Sequence, residues 1–456
     1  IQNPQCGWFY TANQKDFEKI PGSNIGYWLN KLIVESFNDK RIGDFTIGKA
    51  GIVSGNDDDF LRLWNEVSIK SISLKSTFYD KNENNLWVPI SKGGKYRKYF
   101  GNNEYIINIW NLYLEGRTNK SVRRGDKFFY FKEAITWTYV SSNNTSFRYA
   151  SNCVFATAAP SLFIKNNDKD TINYLLSFLN TKIVKLILPA LNPTLNTVSG
   201  DIANLPFIIS DKNKNLISQI AFEQIQISSY EWNSKETSWD FQQNELIRCK
   251  SNYDQNYSDI DFLCEVDCDE ILEIEKTPTN RNLLEDCYEA YKSEWRLNFF
   301  QLHQNEEELN RQFIEIYGLQ DELTPDVPLE EITILQEETS IENGELIFRP
   351  EEVMAQFVSY AVGCMFGRYS LDKEGLILAN QGETLQDYLE KVGRGEEELT
   401  FVPDRDNIIP VLDDEWFRDD IVERFHTFLK ASFGEQNFRK NLDFVEECLG
   451  KDIRKY

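Results

Sequence analysis

The chain has 456 residues, room for roughly two to four domains, and its 41% hydrophobic and 14% aromatic content excludes a disordered protein. Its formal net charge of −24 is unevenly placed: residues 1–250 hold 30 Lys and Arg against 24 Asp and Glu, while residues 251–456 hold 19 against 49. A nucleic acid would be drawn to the first half, at +6, and repelled by the second, at −30, so any nucleic-acid interface is expected before residue 250.

Residues 1–240 alternate short apolar and aromatic runs with Gly, Asn and Ser. The runs at 45–52, 105–113, 127–131 and 153–164 predict strands. Residues 60–67 follow an Asp-rich turn and predict a helix. At 170–188, Ile172, Leu175, Leu176, Phe178, Leu179, Ile183, Val184 and Leu186 have the spacing of a largely buried helix, with Asp170 as its cap and Pro189 as its stop. Helical spacing continues over 211–230, 260–275 and a long acidic stretch at 279–317. A Pro- and Glu-rich stretch at 324–338 places a boundary near 335, and further helices are predicted at 350–369, 383–392, 413–433 and 436–449. The expected fold class is α+β, a mixed domain followed by a mostly α-helical acidic C-terminal region.

No apolar run approaches the ~20 residues that span a bilayer, and residues 1–10 lack the charged and apolar regions of a signal peptide. A cytoplasmic protein with no membrane partner is expected. Its eight cysteines (Cys6, Cys153, Cys249, Cys264, Cys268, Cys287, Cys364 and Cys448) then read as free thiols. Cys264 and Cys268 lie four apart but have no second close ligand pair, and His303 and His426 sit in no ligand spacing. The acidic runs Asp57-Asp58-Asp59 and Asp413-Asp414-Glu415 read as solvated turns and helix N-termini. No phosphate loop ending in Gly-Lys-Ser/Thr and no His-Glu-x-x-His occurs.

The positive signal is a basic, glycine-containing loop, Lys92-Gly-Gly-Lys-Tyr-Arg-Lys-Tyr-Phe-Gly-Asn102. It places Lys92, Lys95, Arg97 and Lys98 among Tyr96 and Tyr99, with Asn102 at its end. Arg117, Lys120, Arg123, Arg124 and Lys127 form a second cluster, and Arg148 stands between Phe147 and Tyr149. Such a loop can follow a phosphate backbone, and Arg can read guanine edges bidentately. A basic solvated hairpin has the same composition, so the residues alone leave both open.

Several segments resemble one family. They are Ala12-Asn-Gln-Lys-Asp-Phe-Glu-Lys-Ile-Pro-Gly-Ser-Asn-Ile-Gly-Tyr-Trp28, Gly51-Ile-Val-Ser-Gly-Asn-Asp-Asp-Asp-Phe-Leu-Arg-Leu-Trp64, the Lys92 loop, and Phe131-Lys-Glu-Ala-Ile-Thr-Trp137. Leu191-Asn-Pro-Thr-Leu-Asn196, Gly200-Asp-Ile-Ala-Asn-Leu-Pro206 and Ser359-Tyr-Ala-Val-Gly-Cys-Met-Phe-Gly-Arg-Tyr-Ser-Leu-Asp372 complete the set. In this order they are similar to the PglX methyltransferases of BREX phage-resistance systems. The resemblance implies an N6-adenine DNA methyltransferase with a catalytic domain, a target-recognition domain and a helical C-terminal region.

Methyl transfer to an adenine amino group needs a glycine-rich turn for S-adenosylmethionine and an Asn/Asp/Ser-Pro-Pro-aromatic motif to hold the flipped base. No two prolines are adjacent here, and the Asn-Pro pairs at Asn3 and Asn192 are followed by Gln5 and Thr194. The catalytic domain, with its S-adenosylmethionine, is therefore expected to precede residue 1, where the chain begins with Ile rather than Met. No catalytic, cofactor-binding or metal residue is assigned in this chain.

The expected organisation is a link from the catalytic domain at 1–50, a target-recognition domain at 51–240, an acidic helical segment at 241–335 and a helical C-terminal domain at 336–456. Double-stranded DNA and the catalytic domain are the expected partners. The Lys92–Asn102 loop, residues 117–127 and Arg148 are the expected DNA contacts. An acidic scaffold that docks other defence-system proteins is the alternative.

Overall fold

The computed structural model describes residues 13–74, 86–141, 144–166, 168–251, 282–417 and 419–456. The fold is α+β, as the apolar runs and helical spacing predict, and it divides into two compact units. Unit 1 comprises Ile1–Tyr230 and Gln301–Ile334; unit 2 comprises Glu231–Phe300 and Leu335–Tyr456.

Among its described residues unit 1 holds eight strands: β1 (Thr46–Lys49), β2 (Leu61–Leu63), β3 (Trp87–Ser91), β4 (Tyr105–Asn108), β5 (Ala134–Trp137), β6 (Phe147–Ala150), β7 (Val154–Phe155) and β8 (Ser161–Ile164). They form two four-stranded sheets, ordered β1-β8-β5-β6 and β2-β4-β3-β7. The first is antiparallel throughout; in the second, β7 runs parallel to β3. Its helices are the short α1 (Gln14–Phe17), α2 (Lys31–Ser36), α3 (Ile42–Phe45) and α4 (Asp57–Phe60), then α5 (Ile109–Glu115), α6 (Lys169–Leu179), α7 (Lys182–Leu191), α8 (Ser199–Ala203) and most of α9 (Lys214–Asn233).

The first sheet is buried on both faces, and its sequence shows why. Successive strand residues point to opposite faces. Ile135 and Trp137 of β5, Phe147 of β6 and Leu162 of β8 join a core with the helical residues Leu175, Phe178, Ile183 and Ile187. Their neighbours Ala134 and Phe163 face a second core, shared with Val88, Ile90 and Ile107 of the other sheet. Strands buried twice read as continuous apolar runs rather than alternating ones.

Several predicted elements differ in the structure. The helix expected at 170–188 is two helices, α6 and α7, bent by 75°. At the break, the Asn180 side chain is tied to both backbone groups of Phe147, at 3.0 and 3.1 Å, and also donates to Leu176 O at 3.2 Å, the carbonyl its own backbone N–H would bond in a continuing helix. Asp168 caps α6 rather than Asp170, and Pro189 lies inside the last turn of α7 rather than beyond it. The run at 105–113 is strand only to Asn108, whose side chain caps α5. Residues 127–131 contain one 3-10 turn, not a strand, because Asp126 caps it through Phe128 N. At 60–67 the helix gives way at Leu61 to β2. No single helix among the described residues is long and apolar enough to cross a membrane, and the apolar pair α6 and α7 is buried core. The helix expected at 260–275, with Cys6, Cys264 and Cys268, lies outside the described residues.

Unit 2 contains α10 (Glu245–Ser251), α12 (Pro350–Met365), α13 (Leu385–Val392), α14 (Ile421–Phe433), α15 (Phe438–Leu449) and the hairpin β9 (Thr339–Glu342)–β10 (Glu345–Phe348). The long helix α11 (Leu284–Tyr317) gives residues 284–300 to unit 2 and 301–317 to unit 1, so the expected acidic segment at 241–335 is divided between them. The reason is apolar patterning. Leu309, Phe313, Ile314 and Tyr317 belong to the unit 1 core, where Tyr317 stacks on Phe178 at 5.6 Å between ring centres. In unit 2, Phe357 meets Phe425, Phe428 and Phe433, and binds α12 to α14. Buried Glu338 accepts hydrogen bonds from Tyr291 and Gln356 and pairs with Lys235, joining four segments of that unit.

Candidate nucleic-acid interface

The glycine-containing loop at 92–102 is a fixed part of the unit 1 core. Tyr99 and Asn102 have left-handed backbones, with φ of 65° and 59°, which a non-glycine residue adopts only where its surroundings hold it. Tyr99 N donates to Phe147 O at 2.9 Å and Tyr99 O accepts from Tyr149 N at 2.8 Å, so the loop lies along β6. Lys98 is 1% exposed. Its backbone N donates to Thr333, and its ammonium pairs with Glu306 at 2.5 Å, with Glu331 3.9 Å away. Burial alone would lower the Lys98 pKa, but the facing carboxylates raise it, so the ammonium stays charged. Asn102 is buried and donates to Lys95 O at 3.0 Å.

Arg148, on β6, is buried beneath the same loop and donates to Arg97 O at 3.4 Å. Burial, together with neighbouring Arg97, pushes its guanidinium down to about 10. Lys98, Asn102 and Arg148 therefore cannot reach a DNA backbone in this structure. The sequence reading put Lys98 and Asn102 in one loop and Arg148 apart from it; the structure brings the three together, and the cluster is internal. Lys92 is half-buried in a 2.6 Å ion pair with Asp57, in the first turn of α4. Of the expected loop contacts, Lys95 is exposed and Arg97 partly so. They adjoin a recess of about 230 Å³ lined in part by Lys95, Tyr96, Thr138, Ser141 and Ser146.

The second basic cluster is different. Arg117, Lys120, Arg123 and Lys127 are exposed, and Arg124 is half-exposed. The segment is pinned by a reciprocal backbone pair between Arg123 and Val53, at 2.8 and 2.9 Å, and by Tyr130, which donates to Arg124 O. Gly51 is required beside it, because a Cβ there would lie 1.9 Å from Phe155 O. Cations and rings interleave on this face. Arg124 and Lys127 lie 5.3 and 4.1 Å from the Tyr113 ring centre, Lys49 is 4.7 Å from Phe129, and Lys132 is 3.4 Å from Phe128. Phe128 is 69% exposed. Lys49 also pairs with Asp126 at 3.0 Å. Sequence reasoning passed over Lys49, Tyr113, Phe128 and Lys132, although four rings in a row stand between two lysines in Lys127-Phe-Phe-Tyr-Phe-Lys132.

Among the described residues no group of three or more His, Cys, Asp or Glu could hold a metal ion. The described cysteines Cys153, Cys249, Cys287, Cys364 and Cys448 are free. Burial pushes the Cys153 thiol up to about 12, which leaves it a poor nucleophile.

Fold and surface together define a class: an α+β protein with one cationic, ring-studded face and a helical unit rich in acid. Comparison with known proteins narrows it. The chain is 33% identical over 464 aligned residues, 99% of its length, to an adenine-specific methyltransferase PglX of Lacticaseibacillus casei (strain Zhang). It is 35% identical over 443, 97% of its length, to an adenine-specific methyltransferase BrxX of Escherichia coli O9:H4 (strain HS). These alignments cover 34% and 33% of the two relatives, so the chain spans about a third of the length of the curated relatives it matches. The resemblance to PglX-type adenine-specific methyltransferases thus holds along nearly the whole chain. No protein-family model matches it.

Proposed function

We propose that this chain supplies DNA target recognition to an adenine-specific methyltransferase of the PglX type, working in BREX-like phage defence in the cytoplasm. The observation that supports this most directly is the exposed cationic and aromatic face at 113–132, in a chain related over its whole length to two adenine-specific methyltransferases. Its cations suit duplex phosphates, and its rings suit bases. S-adenosylmethionine and the methyl-transfer residues belong to the remaining two thirds of such a methyltransferase. No residue of this chain is assigned to either.

The test is a salt titration of duplex DNA binding by the chain and by a Lys120→Ala/Arg123→Ala/Lys127→Ala variant. Each phosphate left without its cation lowers the slope of log K against log salt by about 0.9. The triple variant should therefore lower it by roughly 2–3. Binding with no salt dependence, or with a slope that the variant leaves intact, would refute DNA recognition by this face.

One further observation favours a second, protein-docking role for unit 2. Ile408, Val411, Trp416 and Phe417 are 70, 75, 75 and 55% exposed, and Asp413, Asp414 and Glu415 lie among them. Four large apolar side chains in ten residues are more than scattered surface apolarity. Their acidic surroundings suit a basic protein surface and repel DNA.

A further inference from the structure

Phe128 stands on a charged face, and the structure gives its ring no core to fill. Its backbone is fixed: Phe128 N donates to Asp126 at 3.2 Å at the start of a 3-10 turn, and Phe129, its edge-to-face neighbour at 5.2 Å, is buried beneath it. The exposed ring is thus presented rigidly rather than on a loose loop. Lys132 lies 3.4 Å from the ring centre, and exposed Lys127 precedes the ring in the chain.

A ring held out beside lysines matches one ligand chemistry well. A flat, uncharged base that has left its stack offers a π-face to the ring, while its flanking phosphates offer charge to the lysines. A fully stacked duplex offers the phosphates but no open base face. We propose that Phe128 stacks on a base unstacked from the duplex, with Lys132 moving from the ring to a flanking phosphate. This rests on the DNA-recognition role proposed above and assigns this face the task of holding distorted rather than merely double-stranded DNA.

The experiment compares binding of a fully paired duplex and of the same duplex with one extrahelical adenine, at fixed low salt. The proteins are the wild type, Phe128→Leu, Phe128→Trp and Lys120→Ala/Arg123→Ala. Stacking on one base corresponds to about a 5- to 150-fold preference for the distorted duplex. Phe128→Leu keeps apolar bulk at an exposed site; it should erase that preference, so that the two duplexes bind alike. Phe128→Trp should retain the preference, and Lys120→Ala/Arg123→Ala should weaken both duplexes alike. Wild-type binding without preference, or preference that survives Phe128→Leu, overturns the stacking role but leaves DNA recognition standing. Binding to neither duplex overturns both. A thermal melt of each variant confirms that the fold is intact.

Discussion

Lys98 separates the internal basic cluster from the external one most sharply, because replacing it should injure the fold and spare DNA binding. Lys98→Met removes an ammonium that is 1% exposed from a partner, Glu306, that is 5% exposed. Breaking a buried pair from one side leaves the other charge uncompensated and costs about 3–5 kcal/mol. For a unit of this size each kcal/mol shifts the melting temperature by about 2–4 °C, so a drop of roughly 6–20 °C is expected. Replacing both partners, as Lys98→Met/Glu306→Leu, should recover most of the loss, because a buried ion pair exchanged for apolar residues is close to neutral. The raised Lys98 pKa places this stabilisation fully at neutral pH, with its loss beginning only as pH rises past the ordinary lysine value of 10.5. The assay is thermal or urea unfolding of the two single variants and the double variant, with duplex affinity measured well below the melting temperature. A Lys98→Met variant that melts like wild type and binds DNA more weakly would refute the internal assignment.

Three other outcomes are expected. Asp420 is fully buried, caps α14 through Val422 N at 3.0 Å and Glu423 N at 2.9 Å, and pairs with Arg454 at 2.7 Å; Asp420→Ala should cost about 3–5 kcal/mol in unfolding of unit 2. Burial would raise the Asp420 pKa, but Arg454 and the helix amides outweigh it and hold the carboxyl below its ordinary 3.8. Its contribution is therefore present above about pH 4 and lost as pH falls through the lower folded value, so an acid titration should separate wild type and variant least at low pH. Gly344, at φ 83° with nothing within 4 Å of a Cβ, should lose only about 1–2 kcal/mol on change to Ala, all of it from backbone strain; a larger loss by denaturant titration would mean that the site is packed. Trp416→Ser/Phe417→Ser should weaken crosslinking to a basic protein partner without changing melting temperature or DNA affinity, and an unchanged crosslink yield would refute docking by that strip.

Much of the fold was legible because burial is written in apolar spacing. The helix pattern at 170–188 named eight residues; Ile172, Leu175, Leu176, Phe178, Leu179, Ile183 and Val184 are buried, and Leu186 packs partly buried against them. What spacing could not show was the bend, because apolar periodicity runs on across Asn180, whose side chain is held by the distant Phe147 backbone and by Leu176 O. The β9–β10 hairpin went unread although its signal is local and strong. Asn343-Gly344 takes φ of 52° and 83°, and positive φ at both central residues is the mark of a tight two-residue hairpin turn. It lies between the Pro- and Glu-rich stretch ending at 338 and the helix predicted from 350, at the start of a domain expected to be helical.

The candidate interface was legible only as composition. Counting lysines and arginines found two clusters, but charge in a sequence does not say which side of the surface it falls on. Lys98 and Lys127 sit in similar surroundings, each basic and beside aromatic residues. The difference between them lies more than two hundred residues away in one case and near at hand in the other. Glu306, Glu331 and Thr333 return to meet Lys98 and make its burial tolerable. Lys127 instead meets Tyr113, a ring that stabilises a cation without neutralising it. A buried carboxylate partner fixes Lys98 inside the fold, whereas Lys127, exposed beside a ring, keeps its charge at the surface. The face at 113–132 is accordingly a better place to look for DNA than the loop with the higher local density of lysine.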